Sequence, residues 1–141
     1  MRMHFPLLLA LTTACPAFAG VKDDFLDGAY VFNAKACEKL KALAAGTSPA
    51  AETEPWVMRA DGISFWEGGC DFSKIEKRGR KSWHVTASCG EGPDVYVESY
   101  LFRRRSKTTF SVTLTTPGAS AENRVPKRYF RCDVPPGLPQ R

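Results

Sequence analysis

The chain has 141 residues, of which 43% are hydrophobic and 25% charged, with 20 Lys and Arg against 15 Asp and Glu. Its length bounds it to one domain with a modest core, and beyond the N-terminus no apolar stretch is long enough to span a bilayer. The net charge of +5 is a mild excess, which permits contact with anionic surfaces without demanding it.

Residues 1–19 have the layout of a secretory signal peptide: Arg2, an apolar run from Leu7 to Ala14, then Ala17-Phe18-Ala19 as a small-x-small cleavage site. A buried helix fits poorly, because the segment has no polar face and Pro6 and Pro16 bracket it. Thr12-Thr13-Ala14-Cys15 is a weak lipobox with threonine where leucine is usual, so lipidation of Cys15 is the lesser reading. Removing the leader takes away only Arg2 among the charged residues, leaving about +4. Export places the domain in a periplasm or outside the cell.

Residues 20–27 are expected to be a loose start. Gly28–Phe32 reads as a strand. Asn33 is an N-cap for a helix through AKACEKLKALAA, with Cys37, Leu40 and Ala44 on one stripe and Gly46 as its stop. Residues 47–55 form a loop. Trp56–Arg59 and Ile63–Trp66 flank Asp61-Gly62, a hairpin signal.

The next hairpin runs from Cys70 to Cys89 around a basic tip, Lys77-Arg78-Gly79-Arg80-Lys81. Taking Gly79-Arg80 as a type II′ turn sets Glu76 opposite Trp83, Phe72 opposite Ala87 and Cys70 opposite Cys89. Opposed β-carbons lie about 4.5–5.5 Å apart, near disulfide range. The exported domain has four cysteines, so Cys70–Cys89 leaves Cys37–Cys132 by elimination. Zinc is disfavoured, because structural zinc sites bring ligands in close pairs and these cysteines are widely spaced.

Residues 90–93 form a turn, and 94–104 with 107–115 a further hairpin. Phe110, Val112 and Leu114 alternate with polar residues there. Residues 117–122 are a loop, and 127–134 the last strand. Residues 135–141 are expected to be an extended, flexible Pro-rich tail. The count is about eight strands and one early helix, which predicts a mainly β domain over 20–134, a small antiparallel barrel or sandwich.

The pattern G-x-Y at Gly28, W-E-G-G-C-x-F-x-x-I from Trp66 to Ile75, W-x-V-x-x-x-C from Trp83 to Cys89 and Y-x-R-C from Tyr129 to Cys132 resembles small exported β-proteins of alphaproteobacteria. That resemblance implies location and β class, and no mechanism. A looser likeness to lipocalin-type barrels and secreted bacterial inhibitors rests on size and strand count.

Motifs for catalysis are sparse. His84 is the single histidine after the leader, on a polar strand face beside Ser73 and Thr86 and opposite Ile75. No nucleophile elbow, zinc-protease helix, phosphate loop or dinucleotide fingerprint is present. Glu67 and Asp71 flank Gly68-Gly69-Cys70, and Glu91, Asp94 and Glu98 lie around the next turn; a hydrolase of envelope polymers would use Glu67, Asp71 or Glu91, but acidic residues beside glycines are more often turn formers.

Binding has better candidates. Val95, Val97 and Leu101 occupy one face of the 94–104 strand and Tyr96, Glu98, Tyr100 and Phe102 the other. With the first face as core, the second is an exposed aromatic stripe suited to a partner. Arg78, Arg80 and Lys81 form one basic tip, and Arg103, Arg104 and Arg105 with Lys107 another. The leading expectation is an exported, non-enzymatic module without cofactor or metal. It docks on an envelope protein, a secreted enzyme or an anionic envelope polymer, and not on nucleic acid. A carrier of small hydrophobic ligands, with Trp56, Trp66 and Trp83 about its cavity, is the alternative.

Overall fold

A computed structural model describes residues 25–47 and 55–134; the expected leader with Cys15, residues 48–54 and the tail lie outside these. The elements are β1 (Ala29–Val31), α1 (Ala34–Ala44), β2 (Val57–Arg59), β3 (Gly62–Phe65), β4 (Gly68–Gly79), β5 (Ser82–Glu91), β6 (Asp94–Ser106), β7 (Thr109–Leu114) and β8 (Lys127–Cys132). Each strand pairs antiparallel with its neighbour in sequence, and β1 also pairs with β8. Of the two expected architectures, the chain therefore adopts the closed barrel.

Antiparallel neighbours send successive turns to opposite ends. The β2–β3, β4–β5 and β6–β7 turns share the end at which residues 25–28 enter. The helical connection, the β3–β4 and β5–β6 turns and the 115–126 loop share the other. These are the entry end and the loop end.

The helix forms as its sequence implies. Asn33 accepts a hydrogen bond from the Ala36 amide at 2.7 Å, and Gly46, at φ +69°, follows the C-cap. Its apolar residues Ala36 and Leu40 pack outside the barrel against Ala29, Val31, Val57 and Cys132. There Cys37 is bonded to Cys132, and inside the sheet Cys70 is bonded to Cys89. Both expected pairings hold. Two disulfides fit an oxidising, extracytoplasmic environment. No helix among the described residues is long and apolar enough to cross a membrane.

Eight strands leave an interior just wide enough for side chains to fill. From β5, Trp83, Val85, Ala87 and Cys89 all point inward, as their alternation predicts. Phe110 and Val112 join them from β7.

Four expectations need correction. The β4–β5 turn is Arg80-Lys81, since Gly79 pairs with Ser82. The register begins as expected at Cys70↔Cys89 and Phe72↔Ala87, then bulges between Phe72 and Lys74 and between Lys77 and Gly79 each add a residue to β4. Lys77, not Glu76, therefore faces Trp83, and His84 faces Glu76, not Ile75. The β2–β3 turn is Ala60-Asp61, because Gly62 already pairs with Arg59. Gly62 belongs in the strand for a steric reason: a β-carbon there would meet the Cys70 carbonyl oxygen at 2.2 Å.

The third correction concerns β6. Trp83 pairs with Phe102, and directly opposed residues share a face. Phe102 and Tyr100 are thus core, while Val95 and Val97 are exposed. Fourth, Phe25 and Leu26 are no loose start, for both are buried. The Phe25 ring lies 5.1 Å from Phe102, 5.7 Å from Trp83, 6.0 Å from Phe72 and 6.4 Å from Phe110, centroid to centroid. Arg104 donates to the Phe25 carbonyl at 2.8 Å, and Asp27 accepts from Tyr30 and from Arg131, the latter at 2.9 Å. The entry segment closes its end of the barrel.

Truncating a buried phenylalanine costs about 3–5 kcal/mol. Phe25→Ala should lower unfolding free energy in urea by that order; a loss below about 1 kcal/mol would show that the entry segment does not plug the barrel.

Candidate functional site

The basic tips come together at the entry end. Ser82 pairs with Arg103, and the Arg104 amide donates to the Lys81 carbonyl at 2.8 Å. The β6–β7 turn thus stands beside the β4–β5 turn. Lys77, Arg78, Arg80 and Lys81 of one, and Arg103, Arg105 and Lys107 of the other, are exposed. Glu76 offsets part of this charge, with Lys74 at 3.2 Å, Arg78 at 3.3 Å and His84 at 3.8 Å. Its carboxyl is held below the usual range by Lys74 first, then by Arg78 and His84.

Arg104 differs from its neighbours. It turns inward over the Phe110 ring, 4.6 Å from the centroid, and donates to the Phe25 and Lys107 carbonyls. It holds the barrel end together and is not part of the exposed rim.

The aromatic stripe does not exist as a surface. Tyr100 and Phe102 are interior, Glu98 is half-buried and Tyr96 alone is exposed. The hydrolase carboxylates do not converge in a cleft either. Glu67 sits in the β3–β4 turn at φ +62°, Glu91 stands opposite Gly68, and Asp71 opposite Ser88; all three are exposed. The glycines of W-E-G-G-C serve close packing, for a β-carbon at Gly68 would lie 2.3 Å from the Gly90 carbonyl oxygen.

At the loop end the interior opens into a cavity of about 200 Å³ whose walls include Trp56, Met58, Glu98, Tyr100, Leu114 and Tyr129. Of the three tryptophans expected about a cavity, Trp56 is in this wall, Trp83 is core and Trp66 is exposed. Tyr129 was legible only in part. It is the tyrosine of Y-x-R-C, and its pairing with Phe110 is what turns it inward. Val125, at the end of the long loop, and Lys127, the first residue of β8, also contribute, and no periodicity marks Val125.

The Tyr100 hydroxyl donates to Glu98, whose carboxylate lies 3.8 Å from Cys89 Sγ. Cys70, Cys89 and Glu98 bring three potential metal donors together, but both sulfurs are spent in the disulfide. Burial, reinforced by the Glu98 contact, pushes the Tyr100 hydroxyl well above its ordinary value of 10, and burial alone raises Tyr129. Tyr30 is pushed up to about 12 by burial and by its bond to Asp27. Tyr96 is raised by burial and by the nearby Glu98 and Glu91.

All four tyrosines thus favour the neutral form in the fold. A folded-state value raised above the unfolded one contributes stability that is fully present below about pH 10 and is lost as pH rises toward the folded value. Absorbance at 295 nm should therefore show Tyr30, Tyr100 and Tyr129 ionising only above about pH 10, together with loss of the fold. Three tyrosines titrating with a midpoint near 10 in an intact barrel would contradict these environments. Comparison of the chain with protein-family models, with curated proteins and with solved structures gives no match.

Proposed function

We propose that this is an exported, non-enzymatic binding module that docks by its basic end on an acidic face of an envelope protein or a secreted enzyme. The carrying observation is the joining of the two basic tips through Ser82↔Arg103 and the Arg104–Lys81 backbone bond. Tips that the sequence separates by more than twenty residues become one cationic rim.

Three further points support the reading. The rim stands on short turns between paired strands, so its charges need little ordering on binding. The rim gathers exposed Lys77, Arg78, Arg80, Lys81, Arg103, Arg105 and Lys107, a local positive field that steers an acidic partner during encounter. The leader-like N-terminus, the disulfides and the resemblance to small exported β-proteins favour a periplasmic or secreted location. A carrier of lipid or pigment is less well supported, because the loop-end cavity holds about 200 Å³ and drug-sized ligands need about 300–1,000 Å³.

The test is a capture experiment from envelope extract with the protein and its Arg78→Glu/Arg80→Glu/Lys81→Glu variant. The reading expects a protein bound by the wild type at about 0.05 M salt, weakened at about 0.5 M and lost in the variant, because screening shortens to a few ångströms over that range. Identical capture by both forms, or none by the wild type, would overturn it.

A further inference from the structure

The loop-end cavity combines three properties that select one kind of ligand. Three aromatic side chains stand among its aliphatic walls: Tyr100 and Tyr129 from within the barrel, and Trp56 at the edge, fixed by stacking on Phe65 at 4.9 Å and 18°. Into it faces one carboxylate, Glu98, which accepts a bond from Tyr100 and lies against the Cys70–Cys89 disulfide. Among the described residues Glu98 has no cation within ion-pair distance, and the Tyr129 hydroxyl has no hydrogen-bond partner.

Each ligand class meets these groups differently. A hydrocarbon filling the space would strip water from the Glu98 carboxylate and return nothing for it, a desolvation cost of kcal/mol order. An anion would meet like charge. An ammonium group satisfies Glu98 by a charge-assisted hydrogen bond and gains from the faces of the aromatic rings. Lys127 also borders the cavity, but from an exposed position on the rim, where a long side chain keeps its charge in water. Size sets the upper bound. A cavity of about 150 Å³ holds benzene, so about 200 Å³ holds one ring or a short branched chain with its amine.

We propose that the loop-end mouth binds a small primary amine carrying a single aromatic or aliphatic body, with its ammonium on Glu98 and its body between Trp56, Tyr100 and Tyr129. The Tyr129 hydroxyl supplies a second acceptor for the ammonium protons. This site lies at the end opposite the basic rim, so it stands or falls separately from the docking reading.

Phenethylamine is the probe, titrated into the isotope-labelled protein and followed by amide and indole N–H shifts. Saturable shifts are expected at the Trp56 indole and at Tyr100 and Tyr129. Glu98→Gln, which keeps an acceptor for Tyr100, should weaken binding at least tenfold, and phenylacetate should bind at least tenfold more weakly than the amine. Lys127→Gln should leave amine binding intact or tighten it. If Glu98→Gln does not fold, the exposed Trp56→Ala should still abolish the shifts with the barrel intact. No saturable shift, equal affinity in Glu98→Gln, or phenylacetate bound as tightly as the amine would each overturn the proposal.

Discussion

Closure of the barrel through β1 is the constraint on which the rest depends. β1 is three residues long; it joins β2 through one paired position and β8 through three. By contrast β5 and β6 are paired over ten positions. So short a seam needs support from side chains. On the outside, α1 lies over it and Cys37–Cys132 ties the helix to β8. On the inside, Tyr30 is fully buried against Phe110 at 5.3 Å, and Asp27 links it to Arg131. The disulfide closes a loop of 95 residues, worth over about 4 kcal/mol by chain entropy, against about 3 for the 19-residue Cys70–Cys89 loop.

The seam also makes the two ends unlike each other. Residues 25–30 enter at one end, where the Phe25 carbonyl holds Arg104 inward over Phe110 and the Asp27 carboxylate holds Arg131. Their positions allow the remaining basic residues of both tips to stay in water around a plugged, rigid end. Among the described residues nothing equivalent enters from the loop end. There the walls continue past the last buried ring, and the space between β2, β6, β7 and β8 stays open above Met58 and Tyr100. A cationic rim at one end and an open mouth with the Glu98 carboxylate at the other thus both follow from one strand closing the sheet.

Much of this was legible in the sequence, and what was not has particular physical causes. Strand alternation found the inward face of β5 and β7, the N-cap and glycine stop found the helix, and the Cys70–Cys89 register found both disulfides. The turn shift at Arg80-Lys81 escaped because bulges obey no period: each adds one residue to β4 and leaves the cysteine pairing untouched. The face of β6 escaped for a different reason. Val95-Tyr96-Val97 and Tyr100-Leu101-Phe102 are apolar on both faces, so alternation alone could not choose, and only the opposition of Phe102 to Trp83 does. Phe25 escaped because a single ring ahead of the first strand has no pattern to belong to. For the same reason the cavity was only half visible, since Val125 reaches it from an irregular loop.

Native-state amide exchange on the Cys37→Ser/Cys132→Ser variant tests the closure most directly. With the clasp removed, protection should fall first in β1, β2, α1 and β8, while the long β4–β5–β6 ladders retain theirs. A uniform loss across all eight strands, or earlier loss from β4 to β6, would contradict the claim that the short β1 seam governs the barrel.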